Sequence, residues 1–329
     1  MKKSVDDYWY STSLFTLLLL PLSWLFCFVS WLRKLTFQAG LLRKQRLPVP
    51  VVVVGNITVG GTGKTPLVTW IVEYLLNLGY RPGVVSRGYS GKGDVWPSIV
   101  SPESDPKEVG DEPVLIAKRT DCPVCVGPDR PSAGRKLIET GLCDIIVSDD
   151  GLQHYALERD LEIAVLDGDR RLGNGHCLPA GPLREKPSRL ASVDIVVCNG
   201  GSAQPGEFQM YLVTGDLINL KDESMRCSPA DFIGGPVHAV AGIGNPKRFF
   251  QTLQRKGLEV IEHPFPDHHL YTLADIDFHD EFPVLMTEKD AVKCLRFARV
   301  SHWYLRTEAE LGSDFSNRLD SLMRELKNG

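Results

Sequence analysis

The stretch VVVVGNITVGGTGKTPLVTW, residues 51–70, decides the fold class of this 329-residue chain. Its valines predict a buried strand and its glycines a tight loop, and PLVTWIVEYLLNLG (66–79) has the apolar spacing of a helix. A strand, a glycine loop ending in Gly-Lys-Thr and a helix form the P-loop of nucleotide-binding proteins. The usual loop opens with a glycine five positions before its Gly-Lys-Thr, where this chain has Thr58.

The loop nevertheless retains the glycines that lie closest to bound phosphates. Gly60, Gly61 and Gly63 allow backbone N–H groups to turn inward around an anion. Lys64 is expected to reach the β- and γ-phosphates of ATP, and the Thr65 hydroxyl to bind Mg²⁺. The sequence therefore predicts an ATP site formed by Thr58, Val59, Gly60, Gly61, Thr62, Gly63, Lys64 and Thr65.

A pair of acids supports this nucleotide site. CDIIVSDD (143–150) is an apolar, strand-like run that ends in Asp149 and Asp150. Paired acids after a strand are often only a solvated turn, but beside a P-loop they suit a magnesium site. We therefore expect both carboxylates to help bind Mg²⁺.

The remaining chain predicts an α/β protein of the P-loop NTPase type. Short Val- and Ile-rich runs separated by helical patterns or long loops indicate a mostly parallel sheet with helices on both faces. Between about 200 and 235 the composition becomes polar and turn-rich, and VHAVAGIGNPKRFFQTLQRKG (237–257) begins a second α/β pattern. We predict a P-loop domain over 36–230 and a smaller α/β domain over 231–329 that contributes to the active-site cleft.

The first 35 residues form an apolar segment of a different kind. Residues 8–32 carry no formal charge, which as a helix at about 1.5 Å per residue covers roughly 37 Å, enough to cross a bilayer. No small-residue cleavage site follows, and residues 33–50 contain five basic and no acidic side chains: Arg33, Lys34, Arg43, Lys44 and Arg46. This pattern predicts a membrane-associated helix with the basic side on the cytoplasmic face. A spanning helix and one lying in the interface both fit.

The overall composition limits the function classes. A net charge of −4 and a pI of about 6.1 lack the basic excess of nucleic-acid-binding proteins, and no obligate protein partner is evident. The eight cysteines do not form a small secreted framework, so we expect reduced thiols and a cytosolic catalytic body.

Several further motifs carry charged residues in loops. VGDEP (109–113) places Asp111 and Glu112 before a helix, GPDR (127–130) ends in Arg130, and GPLRE (181–185) ends in Glu185. FPDHH (265–269) adds His268 in the second domain.

Together GNITVGGTGKTP, SRGYSGK, GDEP, DDGLQH, GPLRE, AGIGNPKRFF, FPDHH and TEKDAVK resemble the tetraacyldisaccharide 4′-kinase family, the lipid A 4′-kinases. The resemblance runs from the apolar N-terminus to about residue 293. It implies transfer of the ATP γ-phosphate to the 4′-hydroxyl of a tetraacylated glucosamine disaccharide 1-phosphate. It also implies work at the cytoplasmic face of a Gram-negative inner membrane, in contact with its lipids.

The resemblance assigns roles to matching positions. It implies that Asp111 and His268 form the dyad that activates the sugar hydroxyl, and that Arg130 meets a phosphate of the lipid or the reacting phosphoryl group. The resemblance also implies that Lys64 holds ATP. The implied acidic surroundings of the metal and phosphates are Glu112, Asp149, Asp150 and Glu185.

The main alternative is a membrane-associated P-loop ATPase of the positioning or transport type. Such deviant loops carry lysine just before the two glycines, where this chain has Val59. An ABC-type ATPase would need a Leu-Ser-Gly-Gly-Gln-like signature, which the sequence lacks. A GTPase would need an Asn/Thr-Lys-x-Asp motif, which is also missing. TEKD (287–290) has its lysine one place late. These differences favour the kinase.

Overall fold

A computed structural model describes residues 8–10, 14–89, 91 and 93–328 of the protein. Residues 1–7 and 11–13 of the predicted apolar segment lie outside the described residues, as do Ser90 and Lys92 of the SRGYSGK motif. The described helices are α1 Leu14–Gln38, α2 Lys64–Asn77, α3 Pro106–Val109, α4 Asp111–Thr120, α5 Arg130–Glu139, α6 Pro246–Arg255, α7 Glu288–Cys294 and α8 Ser313–Asn328.

One sheet contains the thirteen strands found in the described ranges. They are β1 Val51–Gly55, β2 Pro82–Ser86, β3 Ser98–Val100, β4 Val124–Val126, β5 Ile145–Asp149, β6 Leu161–Asp167, β7 Ile195–Asn199, β8 Glu207–Asn219, β9 Arg226–Cys227, β10 Pro236–Ala241, β11 Glu259–Pro264, β12 Val284–Thr287 and β13 His302–Leu311. Their order is β11-β10-β12-β13-β8-β7-β6-β1-β5-β2-β4-β3, and β9 pairs with β8.

The first half of the sheet holds the P-loop strand at its centre. β1 lies between β5 and β6, and the pairs from β4 to β8 are all parallel, with β3 as an antiparallel edge. Val52 and Val54 of β1 pack in the core that contains α2, α4 and α8, whereas Val51 and Val53 pack on the opposite face with α5. The predicted fold class, a mostly parallel sheet covered on both faces, is confirmed.

The second half consists of β10, β11, β12 and β13, which also run parallel to one another. α6 covers one face through Phe249, Phe250 and Leu253. α7 covers the other through Ala291 and Cys294.

A long antiparallel ribbon, β8 with β13, joins the two halves. β8 pairs with β7 only through its first residues, 207–210, whereas β12 pairs with the part of β13 that faces residues 217–219 of β8. At about 3.3 Å per residue, roughly 20 Å of ribbon separates the halves. Because β13 is antiparallel to β8, the parallel strands of the second half run in the opposite direction to those of the first. The carboxyl ends of both sets of parallel strands therefore face one cleft.

The last helix returns to the first half. Phe315, Leu319, Leu322 and Met323 of α8 pack in the core that contains the P-loop helix, and Tyr74 of α2 donates a hydrogen bond to Asp320 at 2.8 Å. The predicted domain boundary at residue 231 remains a prediction, but α8 packs with the P-loop half although it follows that boundary in sequence.

Helix α1 lies against the first half along a narrow stripe. Thr16, Ser23 and Phe37 are buried, and the Ser23 hydroxyl donates to the Cys177 carbonyl oxygen at 2.7 Å. The rest of the helix exposes large apolar side chains, among them Leu18, Trp24, Leu25 and Phe28. Helix α1, with a mean hydropathy of 2.0 over an 18-residue stretch, is the one described helix long and apolar enough to cross a membrane.

Candidate active site

The P-loop connects β1 to α2 in the centre of the first half. Gly60 and Gly63 adopt φ values of +100° and +89°, which favour glycine. A Cβ at Gly63 would lie 2.4 Å from Nδ2 of Asn199, whose amide donates to the Thr62 carbonyl oxygen at 2.9 Å. The loop is therefore held by the end of β7, and Gly63 is required by both conformation and space.

Thr58 explains the missing opening glycine. It forms an antiparallel bridge with Leu183 and does not adopt a positive φ, so no glycine is required there. The next N–H, that of Val59, donates to the Pro182 carbonyl oxygen at 2.8 Å. The first two residues of the predicted ATP loop therefore attach it to the GPLRE segment, and residues 60–65 remain the part predicted to face the phosphates.

Lys64 begins α2 and faces the acids at the end of β5. Its Nζ lies 3.5 Å from Asp150 Oδ1, and Arg184 donates to both carboxylate oxygens of Asp150 at 3.1 and 3.0 Å. Burial alone would raise the pKa of Asp150, but the charges of Lys64 and Arg184 outweigh it and lower that pKa. Asp150 is therefore ionised beside the P-loop lysine.

Asp149 has the opposite electrostatic character. It is 1% exposed, and only Oδ2 receives a hydrogen bond, from the Ser86 hydroxyl at 3.2 Å. Burial and the negative charges of Glu112 and Asp150 raise the pKa of Asp149 to about 7. Its buried Oδ1 has no hydrogen-bond partner among the described residues, and an oxygen so placed needs a hydrogen or a cation. The residues present therefore fit Mg²⁺, although no group of three or more His, Cys, Asp or Glu side chains in the described ranges is already arranged around an ion.

Arg130 and Glu185 lie near this acidic group but are engaged by the protein. Arg130, 2% exposed, donates to the carbonyl oxygens of Gly127 at 3.0 Å and Asp149 at 3.2 Å. The Glu185 carboxylate accepts hydrogen bonds from Gln153 at 2.8 Å and from the Tyr155 hydroxyl. Their assigned roles at a phosphate and at the metal remain predictions. In this arrangement Arg130 supports the backbone that presents Asp149.

The predicted dyad is assembled across the two halves. Asp111, the first residue of α4, accepts from His268 Nδ1 at 3.1 Å through both carboxylate oxygens. His268 follows β11 and has a φ of +58°, and its N–H donates to the Gly242 carbonyl oxygen at 3.2 Å. The structure therefore brings together two residues 157 positions apart.

Charges around the dyad set its protonation. Burial would raise the pKa of Asp111, but the hydrogen bond from His268 and the charges of Lys289, His268 and Lys293 lower it to about 2. The same hydrogen bond raises the pKa of His268 above its ordinary value. His268 is the more exposed partner, with 18% of its side chain accessible against 3% for Asp111.

Three residues of this cleft had no role in the sequence prediction. Lys289 Nζ lies 3.0 Å from Glu112 Oε1, so the predicted metal ligand Glu112 is paired across the cleft. Lys293 Nζ lies 3.7 Å from Asp111 Oδ2. Asn199 anchors the P-loop. The only sequence signal for the two lysines is the motif TEKDAVK, which directly follows a strand-like run.

Comparison with known proteins identifies the family that has this architecture. The profile described as tetraacyldisaccharide-1-P 4′-kinase matches residues 15–324. The chain belongs to this family. A tetraacyldisaccharide 4′-kinase of Nitrosococcus oceani is 51% identical over 318 residues, covering 97% of this chain and 94% of the relative. One of Alkalilimnicola ehrlichii is 53% identical over 307 residues, covering 93% and 92%.

A solved structure of the family has the same fold. The crystal structure of "apo" form LpxK from Aquifex aeolicus in complex with ATP is similar with a TM-score of 0.80 at 29% identity, covering 95% of this chain and 99% of that one. The predicted family, fold class and phosphotransferase activity are thus confirmed for this 4′-kinase family member.

Proposed function

We propose that the protein transfers the γ-phosphoryl group of ATP to the 4′-hydroxyl of a tetraacylated glucosamine disaccharide 1-phosphate, a lipid A precursor. The observation that carries this proposal is the Asp111–His268 dyad, which is completed by the second half of the sheet beside the P-loop of the first. A sugar hydroxyl is a poor nucleophile, and a positioned base accelerates its attack by about 10²–10⁴-fold.

Within the dyad, His268 takes the proton of the hydroxyl at Nε2. Asp111 holds the ring through Nδ1 and stabilises the imidazolium that forms. His268 is assigned the contact with the acceptor because it is the more exposed member. The hydroxyl oxygen forms a bond to the γ-phosphorus, the bond to the β-phosphate bridging oxygen breaks, and ADP leaves.

The P-loop supplies the donor side of the site. Gly60, Gly61 and Gly63 present backbone N–H groups to the phosphates, and Lys64 stabilises the charge of the transferring group. Magnesium, when bound, neutralises phosphate charge; Thr65, Asp149 and Asp150 would hold it, with Glu112 and Glu185 nearby. The unpartnered Oδ1 of Asp149 supports this assignment.

Helix α1 indicates where the enzyme meets its lipid acceptor. The helix contacts the protein from Thr16 to Phe37, over most of its length, and exposes apolar side chains on the remaining surface. A helix held alongside a folded domain in this way suits insertion in the membrane plane better than a separate span. We propose that α1 docks the enzyme on the cytoplasmic face of the inner membrane, where exposed Arg33, Arg43 and Lys44 meet anionic lipid headgroups.

We expect the double substitution Trp24→Glu and Phe28→Glu on α1 to weaken binding to phosphatidylglycerol-containing vesicles by about 10²–10⁴-fold. Both side chains are exposed on the protein surface. Each would contribute roughly 1.5–3 kcal/mol to membrane binding when it enters the lipid. Vesicle flotation measures the effect, and Leu142→Glu, at an exposed site away from α1, is the matched control. Flotation of the double variant at the wild-type level would contradict the docking surface.

The rival function is an ATPase of the positioning or transport type. A kinase forms ADP in step with phosphorylated lipid, whereas such an ATPase releases ADP and inorganic phosphate without a lipid acceptor. We expect the purified enzyme to release ADP only when the disaccharide lipid is present, with one ADP for each lipid converted. Rapid ADP release that is independent of the lipid would favour the ATPase.

A further inference from the structure

The motif TEKDAVK becomes helix α7, which lies across the cleft from α4. Charged side chains of α7 meet opposite charges of α4 at three places along the two helices. Glu288 lies 3.0 Å from Arg119, Lys289 lies 3.0 Å from Glu112, and Lys293 lies 3.7 Å from Asp111. Since α4 belongs to the first half and α7 to the second, these pairs form only when the halves are together.

Lys289 differs from the other two residues because it also contacts His268, the imidazole of the dyad. Its Nζ lies 3.5 Å from His268 Nε2 and 3.5 Å from Asp267 Oδ1, besides its contact with Glu112. Nε2 is the ring nitrogen that Asp111 does not hold. Lys289 therefore lies beside the atom that, in the proposed function, accepts the proton.

We propose that Lys289 is a positioning residue for phosphoryl transfer, which keeps His268 in its proton-accepting form once the two halves have closed. This inference rests on the proposed function. An ammonium group only donates hydrogen bonds, so it can bond to Nε2 only while Nε2 carries a free lone pair. In that tautomer the proton is on Nδ1, where it bonds to Asp111. The bridge to Glu112 of the first half makes this arrangement depend on closure.

The groups that face His268 come from every neighbouring element. Asp111 of α4 and Asp267 of its own loop favour the imidazolium, whereas Lys289 of α7 opposes it, and Lys293 offsets part of the charge of Asp111. Glu112 pairs with Lys289, and the Tyr89 ring lies 5.2 Å from the His268 ring between centroids. The hydrogen bond to Asp111 outweighs burial and the charge of Lys289, so the pKa of His268 is raised. Removing Lys289 raises that pKa further, so a larger fraction of the enzyme carries the inactive imidazolium near neutral pH.

The test is the pH dependence of kcat/KM for lipid phosphorylation by the full-length enzyme, with ATP saturating. We expect Lys289→Met to move the rising limb of the profile up by about one pH unit, because a like charge close to an imidazole lowers its proton affinity by about that amount. Below the inflection the activity falls by about tenfold, and it recovers on the alkaline plateau. Lys289→Arg keeps the charge and is expected to retain the wild-type inflection.

Two further variants separate positioning from folding. Lys289→Gln also removes the charge and is expected to shift the profile in the same direction as Lys289→Met. Lys221→Met, at an exposed site of the second half, is the control and is expected to leave the profile unchanged. A uniform loss at every pH in the two neutral variants, with the inflection unmoved, would overturn the role of Lys289 alone. Absence of lipid phosphorylation by the wild type would overturn the proposed function, and this inference with it.

Discussion

Asp111→Asn is expected to lower turnover of the lipid acceptor by about 10²–10⁴-fold, with the affinity for ATP nearly unchanged. The substitution preserves the size of the side chain but removes the negative charge that holds His268 Nδ1 at 3.1 Å. The ring then loses both its orientation and the partner that stabilises its protonated form. Turnover measured at saturating ATP and lipid, together with calorimetric ATP binding, tests this expectation.

Asp121→Asn provides the matched control for this substitution. Asp121 is exposed at the opposite end of α4 and has a φ of +51°, a conformation that asparagine tolerates well. We expect it to behave as the wild type. Near-normal lipid phosphorylation by Asp111→Asn would remove the dyad from the mechanism.

The second large effect is expected for Lys64→Met. The side chain begins α2 and is 13% exposed beside Asp150, where an ammonium group can contact the β- and γ-phosphates. Loss of this donor is expected to lower kcat/KM by about 10²–10³-fold. Unlike Asp111→Asn, it is also expected to weaken ATP binding, because a P-loop lysine contacts the nucleotide phosphates both before and during transfer.

Lipid-phosphorylation kinetics and ATP titration, measured on one preparation of each variant, distinguish Lys64→Met from Asp111→Asn. Lys327→Met, which removes a lysine stacked 4.4 Å from the Tyr80 ring at the far end of the P-loop helix, controls for the loss of a positive charge. If Lys64→Met bound ATP and turned over the lipid like this control, the P-loop would not be the donor site.

Local patterns carry most of what the sequence predicts about the fold. Val51–Gly55 and Lys64–Asn77 form the predicted strand and helix, because continuous apolar runs and helical spacing are properties of adjacent residues. Asp149 lies at the end of its predicted strand for the same reason. The eight cysteines, all of them described, are free thiols, as expected.

Long-range geometry was not accessible from these patterns. The antiparallel β8–β13 ribbon turns the second half back onto the first, and no local signal indicates that direction. The placement of α8 against Trp70 and the P-loop helix depends on the same ribbon. The buried position of Arg130 follows from the packing of α5 on the sheet, which the motif GPDR alone does not indicate.

The roles of Asp111, Glu112, Arg130, Glu185 and His268 came from the family resemblance, which gives positions but, apart from the dyad, no contacts. That resemblance paired Asp111 with His268, and the structure places them in contact. It gave no role to Lys289. From the sequence alone, a lysine at the start of a helix is most often a solvated side chain. The contacts of Lys289 with Glu112 and His268 became visible only with both halves in place.

The most direct test of the proposed kinase activity is mass spectrometry of the lipid after incubation with the detergent-solubilised protein, ATP and Mg²⁺. We expect the tetraacyl disaccharide 1-phosphate to gain one phosphate, which fragmentation places on the distal sugar at the 4′-oxygen. The same reaction with Asp111→Asn is expected to leave the lipid nearly unchanged. A folded, ATP-binding wild-type preparation that leaves the lipid unmodified would contradict the assignment of the protein as a lipid 4′-kinase.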